Sequence, residues 1–160
     1  MSRVIVTCGI AGCGKTTWAN EYSAEHPNYI VLDSDAIRQE LWGNAEEQKN
    51  PSVIFTTMRA RMHEALQKGY DVIYCATNLK RSNRKQLLNY LHSVHPETIC
   101  DILIFNVSFD LCFKQNLNRD RQVPEYAMRR QFIQFMNEQP SLNEGWNSIL
   151  EVTRDDDTIT

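Results

Sequence analysis

Several features of specialised proteins are missing from this sequence. No apolar run approaches the ~20 residues that a membrane-spanning helix needs, and the chain enters an apolar strand pattern at its N-terminus without a signal peptide. The five cysteines are odd in number and include no Cys-x-x-Cys pair, which argues against a disulfide framework or a zinc site. These absences predict a cytoplasmic protein of a reducing compartment, with no membrane partner.

The chain also has no strong excess of acidic or basic residues. The formal net charge is -3 at pH 7. A mildly acidic balance argues against a broad electrostatic contact with duplex DNA or a membrane surface. It still allows a narrow basic channel that holds one strand end.

Short apolar runs rich in Val, Ile, Tyr and Phe are present instead. They occupy residues 4–8, 29–32, 70–75 and 99–107, with a fifth candidate at 149–153. Helical patterns separate them, at 15–25, 35–43, 51–69 and 110–117, in a stretch with Leu87, Leu88 and Leu91, and after Pro124. This alternation predicts an α/β fold, a parallel sheet with helices on both faces. We expect residues 1–160 to form one domain, with a polar, mobile connection at 43–51 and a solvated polar tail at 154–160.

The first predicted strand and the first predicted helix are joined by a glycine-rich loop that matches GxxxxGK[ST] in full. Glycines let successive backbone N–H groups point at phosphate oxygens, and the helix N-terminus adds positive charge. We expect Lys15 to bridge the β- and γ-phosphates and the Thr16 hydroxyl to ligate Mg²⁺. The residues predicted to hold the nucleoside triphosphate are Gly9, Gly12, Cys13, Gly14, Lys15, Thr16 and Thr17.

Acidic side chains follow the second predicted strand. Ligands of parallel sheets gather at the carboxyl ends of the strands, so Asp33 and Asp35 are expected beside the phosphate loop. Arg38 follows Asp35 by three positions and shares its helix face. Such a pair can accept a hydroxyl proton while gripping an anionic acceptor. The plainer interpretation is a helix cap with a surface ion pair.

The order of a phosphate loop, a strand and Asp-x-x-Arg resembles the polynucleotide 5′-hydroxyl kinase family. Residues 72–79, ending in Thr-Asn-Leu, resemble a strand of that family. Residues 114–124, with Asn-x-x-Arg ahead of Val-Pro, resemble its lid, and residues 140–146 resemble a closing segment of related bacterial kinases. The resemblance covers nearly the whole chain. It implies a P-loop NTPase fold of the adenylate-kinase-like type, with a small lid at about 118–124.

The resemblance also assigns roles. Asp35 would be the general base on a 5′-hydroxyl, and Arg38 would hold the neighbouring phosphate of the acceptor. Arg119 of the lid would meet the transferring phosphate, and Arg121 would contact the nucleotide. Asp33 is not assigned by the resemblance, but it is expected to join Thr16 around the metal in place of an acid that the family carries elsewhere. ATP or another nucleoside triphosphate, Mg²⁺ and a single-stranded 5′-hydroxyl end of DNA or RNA are the ligands implied.

Two positions depart from that family. Cys75 and Ala76 stand where it carries an acidic residue before Thr-Asn, and Gln115 replaces the first basic residue of the lid. Two other functions therefore stay open: a small-molecule kinase for a nucleoside, nucleotide or sugar, and a nucleotide-binding module with weak transferase activity. The sequence leaves the choice between ATP and GTP and the oligomeric state undecided.

Overall fold

The structure, a computed structural model, describes residues 1–43 and 51–154. Five parallel strands form one sheet in the order β2-β3-β1-β4-β5. The strands are β1 Arg3–Cys8, β2 Tyr29–Asp33, β3 Asp71–Cys75, β4 Ile99–Val107 and β5 Ser148–Arg154. The helices are α1 Lys15–Glu25, α2 Ser34–Trp42, α3 Pro51–Gln67, α4 Arg81–Val94, α5 Phe109–Leu117 and α6 Glu125–Asn137, with a 3₁₀ turn at Leu142–Glu144.

The direction of the chain crossovers places helices on both faces of the sheet. The connection from β1 to β2 runs outward across β3, and each later connection runs back across the sheet. Because crossovers between parallel strands are right-handed, α1 covers one face and the helices of the returning connections cover the other. The α/β fold predicted from the sequence is therefore confirmed.

Most element ends agree with the sequence prediction, and the small differences have local causes. The second helix starts at Ser34, because the Asp33 carboxylate caps it by accepting from Asp35 N–H and Ala36 N–H. The third strand starts after Tyr70, whose N–H donates to Ala65 in the turn that ends α3. The last strand continues through Arg154, which is therefore part of the sheet and not of the predicted tail.

The core lies between the central strand and the helices. Val4 and Val6 of β1 are fully buried, as are Met58 and Met62 on the inner stripe of α3. No helix among the described residues is long and apolar enough to cross a membrane. The centre of the connection predicted to be mobile, 44–50, and the tail residues 155–160 lie outside the described residues.

Candidate active site

The carboxyl ends of β1, β2 and β3 meet at one edge of the sheet, and a large open cavity lies there. Its volume is about 970 Å³, and the predicted phosphate loop forms one wall. The charged residues around it are Lys15, Arg38, Arg119, Arg121 and Arg154, with Asp33, Asp35 and Asp120. Five cations against three carboxylates give an excess of two positive charges, although the whole chain carries -3. The cavity is therefore suited to an anionic ligand.

The phosphate loop has the backbone geometry that its glycines predict. Gly12 and Gly14 adopt φ angles of 79° and 96°, in the left-handed region that favours glycine. A Cβ on Gly12 would also collide with the carbonyl oxygen of Cys112 on α5. The Lys15 ammonium lies over the loop and donates to the carbonyls of Gly9 and Ile10, at 3.1 and 2.8 Å. It is already at the loop surface where phosphates would bind.

Side chains of α5 and α6 form hydrogen bonds to the backbone of the loop. Gln115 donates to the carbonyl of Gly12. The amide oxygen of Gln131 accepts from Ala11 N–H at 2.9 Å. Gln115, the residue that departs from the family's basic lid position, therefore fixes the loop through a neutral amide. No sequence pattern indicated Gln131, which lies 120 positions from its partner.

A hydroxyl and a carboxylate meet at the start of α1. The Thr16 hydroxyl donates to Asp33 Oδ2 at 2.6 Å, while Asp33 Oδ1 caps α2. Oxygen ligands of this kind suit Mg²⁺, which usually binds one or two protein groups together with substrate phosphates and water. In the part of the chain that the structure describes, no cluster of three or more His, Cys, Asp or Glu residues could bind a metal without such help. Thr16 and Asp33 thus fit the predicted metal site.

The thiol of Cys75 lies beside this pair and does not replace the missing carboxylate. Cys75 ends β3 opposite Asp33 of β2. Burial, with a smaller contribution from the Asp33 charge, raises the pKa of the Cys75 thiol to about 12. The group is therefore neutral at physiological pH, and Asp33 is the carboxylate in contact with Thr16.

Asp35 binds three arginines. Arg38 reaches Asp35 Oδ1 at 2.9 Å from the next turn of α2, which confirms that the two share a helix face. From the segment predicted to be a lid, Arg119 reaches Oδ2 at 2.7 Å and Arg121 reaches Oδ1 at 3.3 Å. The Asp-x-x-Arg spacing predicted the first contact. The two lid contacts join residues more than 80 positions apart, and the sequence did not indicate them.

The Arg38 guanidinium is poorly satisfied for a buried cation. Its side chain is 9% exposed, and its Nε has no hydrogen-bond partner among the described residues. Burial and the nearby Arg121 cation lower the pKa of Arg38, against the opposing effect of Asp35. An additional anion at this position would relieve both the missing hydrogen bond and the repulsion.

A buried ion pair supports the loop between β3 and α4. Arg84 and Glu144 form two contacts at 2.8 and 2.9 Å, and their side chains are 0% and 2% exposed. Arg84 also donates to the carbonyls of Asn78 and Leu79. Burial opposes ionisation of Glu144, but hydrogen bonds from Arg84 and the Trp146 indole outweigh it and lower the pKa of this carboxyl. The predicted closing segment, 140–146, is thereby tied to the sheet edge that carries the site.

Comparison with known proteins agrees with this geometry. The model of an AAA domain family, AAA_33, matches residues 4–139, which is most of the chain. The chain belongs to this family, and its fold is that of the P-loop kinases. Among curated proteins, the L-seryl-tRNA(Sec) kinase of Methanococcus maripaludis is 22% identical over 150 residues. That match covers 90% of the chain and 56% of the relative, so the chain spans little more than half of the relative's length.

Solved structures share the fold over most of the chain. A candidate kinase from Chloroflexus aurantiacus has a TM-score of 0.77 at 16% identity, covering 99% of this chain and 92% of that one. A chain of the Pnkp1/Rnl/Hen1 RNA repair complex has a TM-score of 0.72 at 16% identity, covering 86% and 45%. A gluconokinase from Sinorhizobium meliloti has a TM-score of 0.56 at 20% identity, covering 94% and 81%. At such identities the likeness establishes the fold and leaves the acceptor open.

Proposed function

We propose that the protein is a kinase that uses ATP and Mg²⁺ to phosphorylate the 5′-hydroxyl end of a polynucleotide, DNA or RNA. The observation that carries the proposal is the pairing of Asp35 with Arg38 at 2.9 Å on the wall of the cavity that also contains the phosphate loop. The pair offers a proton acceptor and an anion-binding cation within one helix turn. A polynucleotide end offers the matching groups, a hydroxyl and a phosphate on the same sugar.

The donor side follows from the loop. Backbone N–H groups of the loop and the Lys15 ammonium would bind the β- and γ-phosphates of ATP. Thr16 and Asp33, whose oxygens lie 2.6 Å apart, would hold the metal ion. When bound there, Mg²⁺ supplies neutralisation of the phosphate charge.

The transfer step is a displacement at phosphorus. Asp35 would accept the proton of the acceptor hydroxyl as its oxygen forms a bond to the γ-phosphorus. The bond from the γ-phosphorus to the oxygen that bridges it to the β-phosphate breaks, and ADP leaves. The Arg38 Nε, buried and without a partner among the described residues, would donate to the phosphate that follows the first nucleoside. That contact would fix the hydroxyl close to Asp35.

The lid contributes through a change of partners. Arg119 and Arg121 pair with Asp35 in this structure, at 2.7 and 3.3 Å. Bound triphosphate carries more negative charge than one carboxylate, so it would attract both arginines. Arg119 would then meet the charge that develops as the γ-phosphate departs. Asp35 would be released to act as base only when nucleotide is present.

An acceptor panel tests the proposal. The full chain is incubated with Mg²⁺ and ATP labelled at the γ-phosphate. Each reaction contains one acceptor, which is a 5′-hydroxyl DNA strand, a 5′-hydroxyl RNA strand, a nucleoside or gluconate. The controls are the same two strands with a 5′-phosphate. We expect label on the 5′-hydroxyl strands and none on the controls. Label that appears on the nucleoside or gluconate alone would reject a polynucleotide acceptor.

The two alternatives make different predictions in that panel. A small-molecule kinase, which the gluconokinase likeness keeps in view, would label gluconate or the nucleoside. A nucleotide-binding module with weak transferase activity, favoured by the neutral thiol of Cys75 in place of a carboxylate, would bind ATP and label every acceptor weakly or not at all. Two of the similar proteins, the seryl-tRNA kinase and the RNA repair complex, are named for RNA, which favours a polynucleotide acceptor over a small molecule.

A further inference from the structure

One wall of the cavity carries an aromatic ring that the phosphoryl-transfer chemistry does not use. Phe55 lies in the first turns of α3, and it is the only aromatic side chain around the cavity among the described residues. It is 41% exposed, whereas the preceding residue, Ile54, is fully buried. A single exposed phenylalanine needs no explanation by itself. Phe55 does need an explanation, because it lies in a cavity whose other lining residues are mostly charged or polar.

The ring is on the acceptor side of the cavity. Helices α2 and α3 pack against each other, and α2 carries Asp35 and Arg38. Phe55 therefore reaches the cavity from the helix that packs on α2, which carries the proposed base and anion site, whereas the phosphate loop lies between β1 and the start of α1. A ligand that contacts Asp35 and Arg38 at once has Phe55 within the same chamber.

The proposed acceptor has one part that still lacks a partner. If the 5′-oxygen lies at Asp35 and the following phosphate at Arg38, then both polar ends of the first nucleotide are bound. Its base is attached to the same ribose and must rest against another part of the cavity. A flat, partly apolar ring is stabilised by an aromatic side chain on which it can stack.

We propose that Phe55 is the platform on which the base of the 5′-terminal nucleoside stacks. This inference rests on the proposed function and narrows it, because it makes the acceptor a nucleoside-bearing end and disfavours sugars and sugar acids, which have no flat ring to stack. Every base has a π-face, so the platform tolerates all four bases and gives little sequence preference. Phe55 is thus a specificity residue for the presence of a base.

Two substitutions distinguish the effect of the flat aromatic surface of Phe55 from the effect of its apolar volume. Phe55→Leu keeps apolar volume and removes the flat surface, whereas Phe55→Tyr keeps the surface. Val53→Ala is the matched control, because Val53 is a 39% exposed apolar residue of the same helix that does not line the cavity. Circular dichroism and the Kd for ATP check that the fold and the donor side are unchanged.

The acceptors are two 5′-hydroxyl strands that differ only in their first residue, which is an ordinary nucleotide in one and an abasic sugar in the other. We expect wild-type kcat/KM to be about tenfold higher for the strand with the base, as a single stacked base allows. Phe55→Leu should lower kcat/KM about tenfold for that strand only, and so remove the preference. Phe55→Tyr and Val53→Ala should behave like the wild type.

Each other result overturns a defined part of the account. An equal loss on both strands in Phe55→Leu means that Phe55 supports the structure of the site, and it rejects stacking. Equal wild-type use of both strands also rejects stacking but leaves the polynucleotide kinase intact. Phosphorylation of neither strand, together with label on gluconate in the acceptor panel, rejects both the stacking and the proposed function.

Discussion

Asp35 has two proposed effects: it acts as the base, and it holds Arg119 and Arg121, which would otherwise bind ATP. Asp35→Asn should therefore lower turnover and raise the affinity for ATP. Turnover should fall by at least ~10²-fold, the lower end of what a general base contributes. Binding of ATP should become tighter, because the neutral amide no longer retains the charged side chains of Arg119 and Arg121. A variant that is slower and yet binds its substrate better is an unusual result, and it follows directly from the shared carboxylate.

The size of the affinity change can be worked from the ion pairs. The side chains of Asp35 and Arg119 are both 29% exposed and that of Arg121 is 16% exposed, so solvent screens the pairs in part. Such pairs are worth ~0.2–1 kcal/mol each. Two of them give about 1 kcal/mol together, which corresponds to roughly fivefold tighter binding of ATP.

The assay compares kcat on a 5′-hydroxyl strand with the Kd for ATP measured by calorimetry. Asp120→Asn is the matched control, because Asp120 is another carboxylate of the same cavity and its replacement removes the same charge. Asp120→Asn should change both quantities much less. If Asp35→Asn keeps its turnover, the base assignment is wrong. If it binds ATP no more tightly than Asp120→Asn does, the competition for the lid arginines is refuted.

Four further predictions follow from other contacts. Lys15→Met should abolish transfer while circular dichroism stays unchanged, and near-normal turnover would contradict the assignment of the phosphate loop. Arg119→Ala should lower kcat far more than it raises the Kd for ATP, with Arg121→Ala showing the reverse; a larger kcat loss in the second variant would exchange their roles. Arg84→Met should cost ~3–5 kcal/mol in urea unfolding, because it leaves the buried Glu144 carboxylate with only the longer, 3.4 Å contact from the half-exposed Arg81 as an ion pair, and adding Glu144→Gln should restore part of that loss. All five thiols are buried, and burial raises the pKa of four of them to about 12, so a thiol reagent at pH 8 should react with them only after denaturation.

Local patterns predicted the fold well because helices, strands and the phosphate loop are each recognisable from a short stretch of sequence. The phosphate loop is identified by eight consecutive residues, and the Asp35–Arg38 pair by one helix turn. Helix ends depend on neighbours one to five positions away, as the cap formed by Asp33 illustrates. For features of this range, spacing along the chain is a good guide to spacing in the structure.

Contacts between distant segments could not be predicted in the same way. The pairing of Arg84 with Glu144 joins residues 60 positions apart, and it depends on how α4 meets the turn before β5. Phe55 is next to a core position in the helical pattern, and only the packing of α3 beside α2 brings it to the cavity. Residues 118–124 were predicted as a lid from local sequence, but the contact of Arg119 with Asp35 depends on how the chain returns between α5 and α6.

The proposed function requires Asp35 and Arg38 to recognise a hydroxyl and a phosphate on the same sugar. This is tested by the ratio of kcat/KM for a nucleoside 3′-phosphate to that for the bare nucleoside, measured in the wild type and in Arg38→Gln. We expect the wild type to prefer the 3′-phosphate strongly and Arg38→Gln to lose that preference. We also expect kcat/KM to depend only weakly on salt, because one or two phosphates are bound. Equal kcat/KM for the two acceptors in the wild type would reject recognition of the phosphate by Arg38.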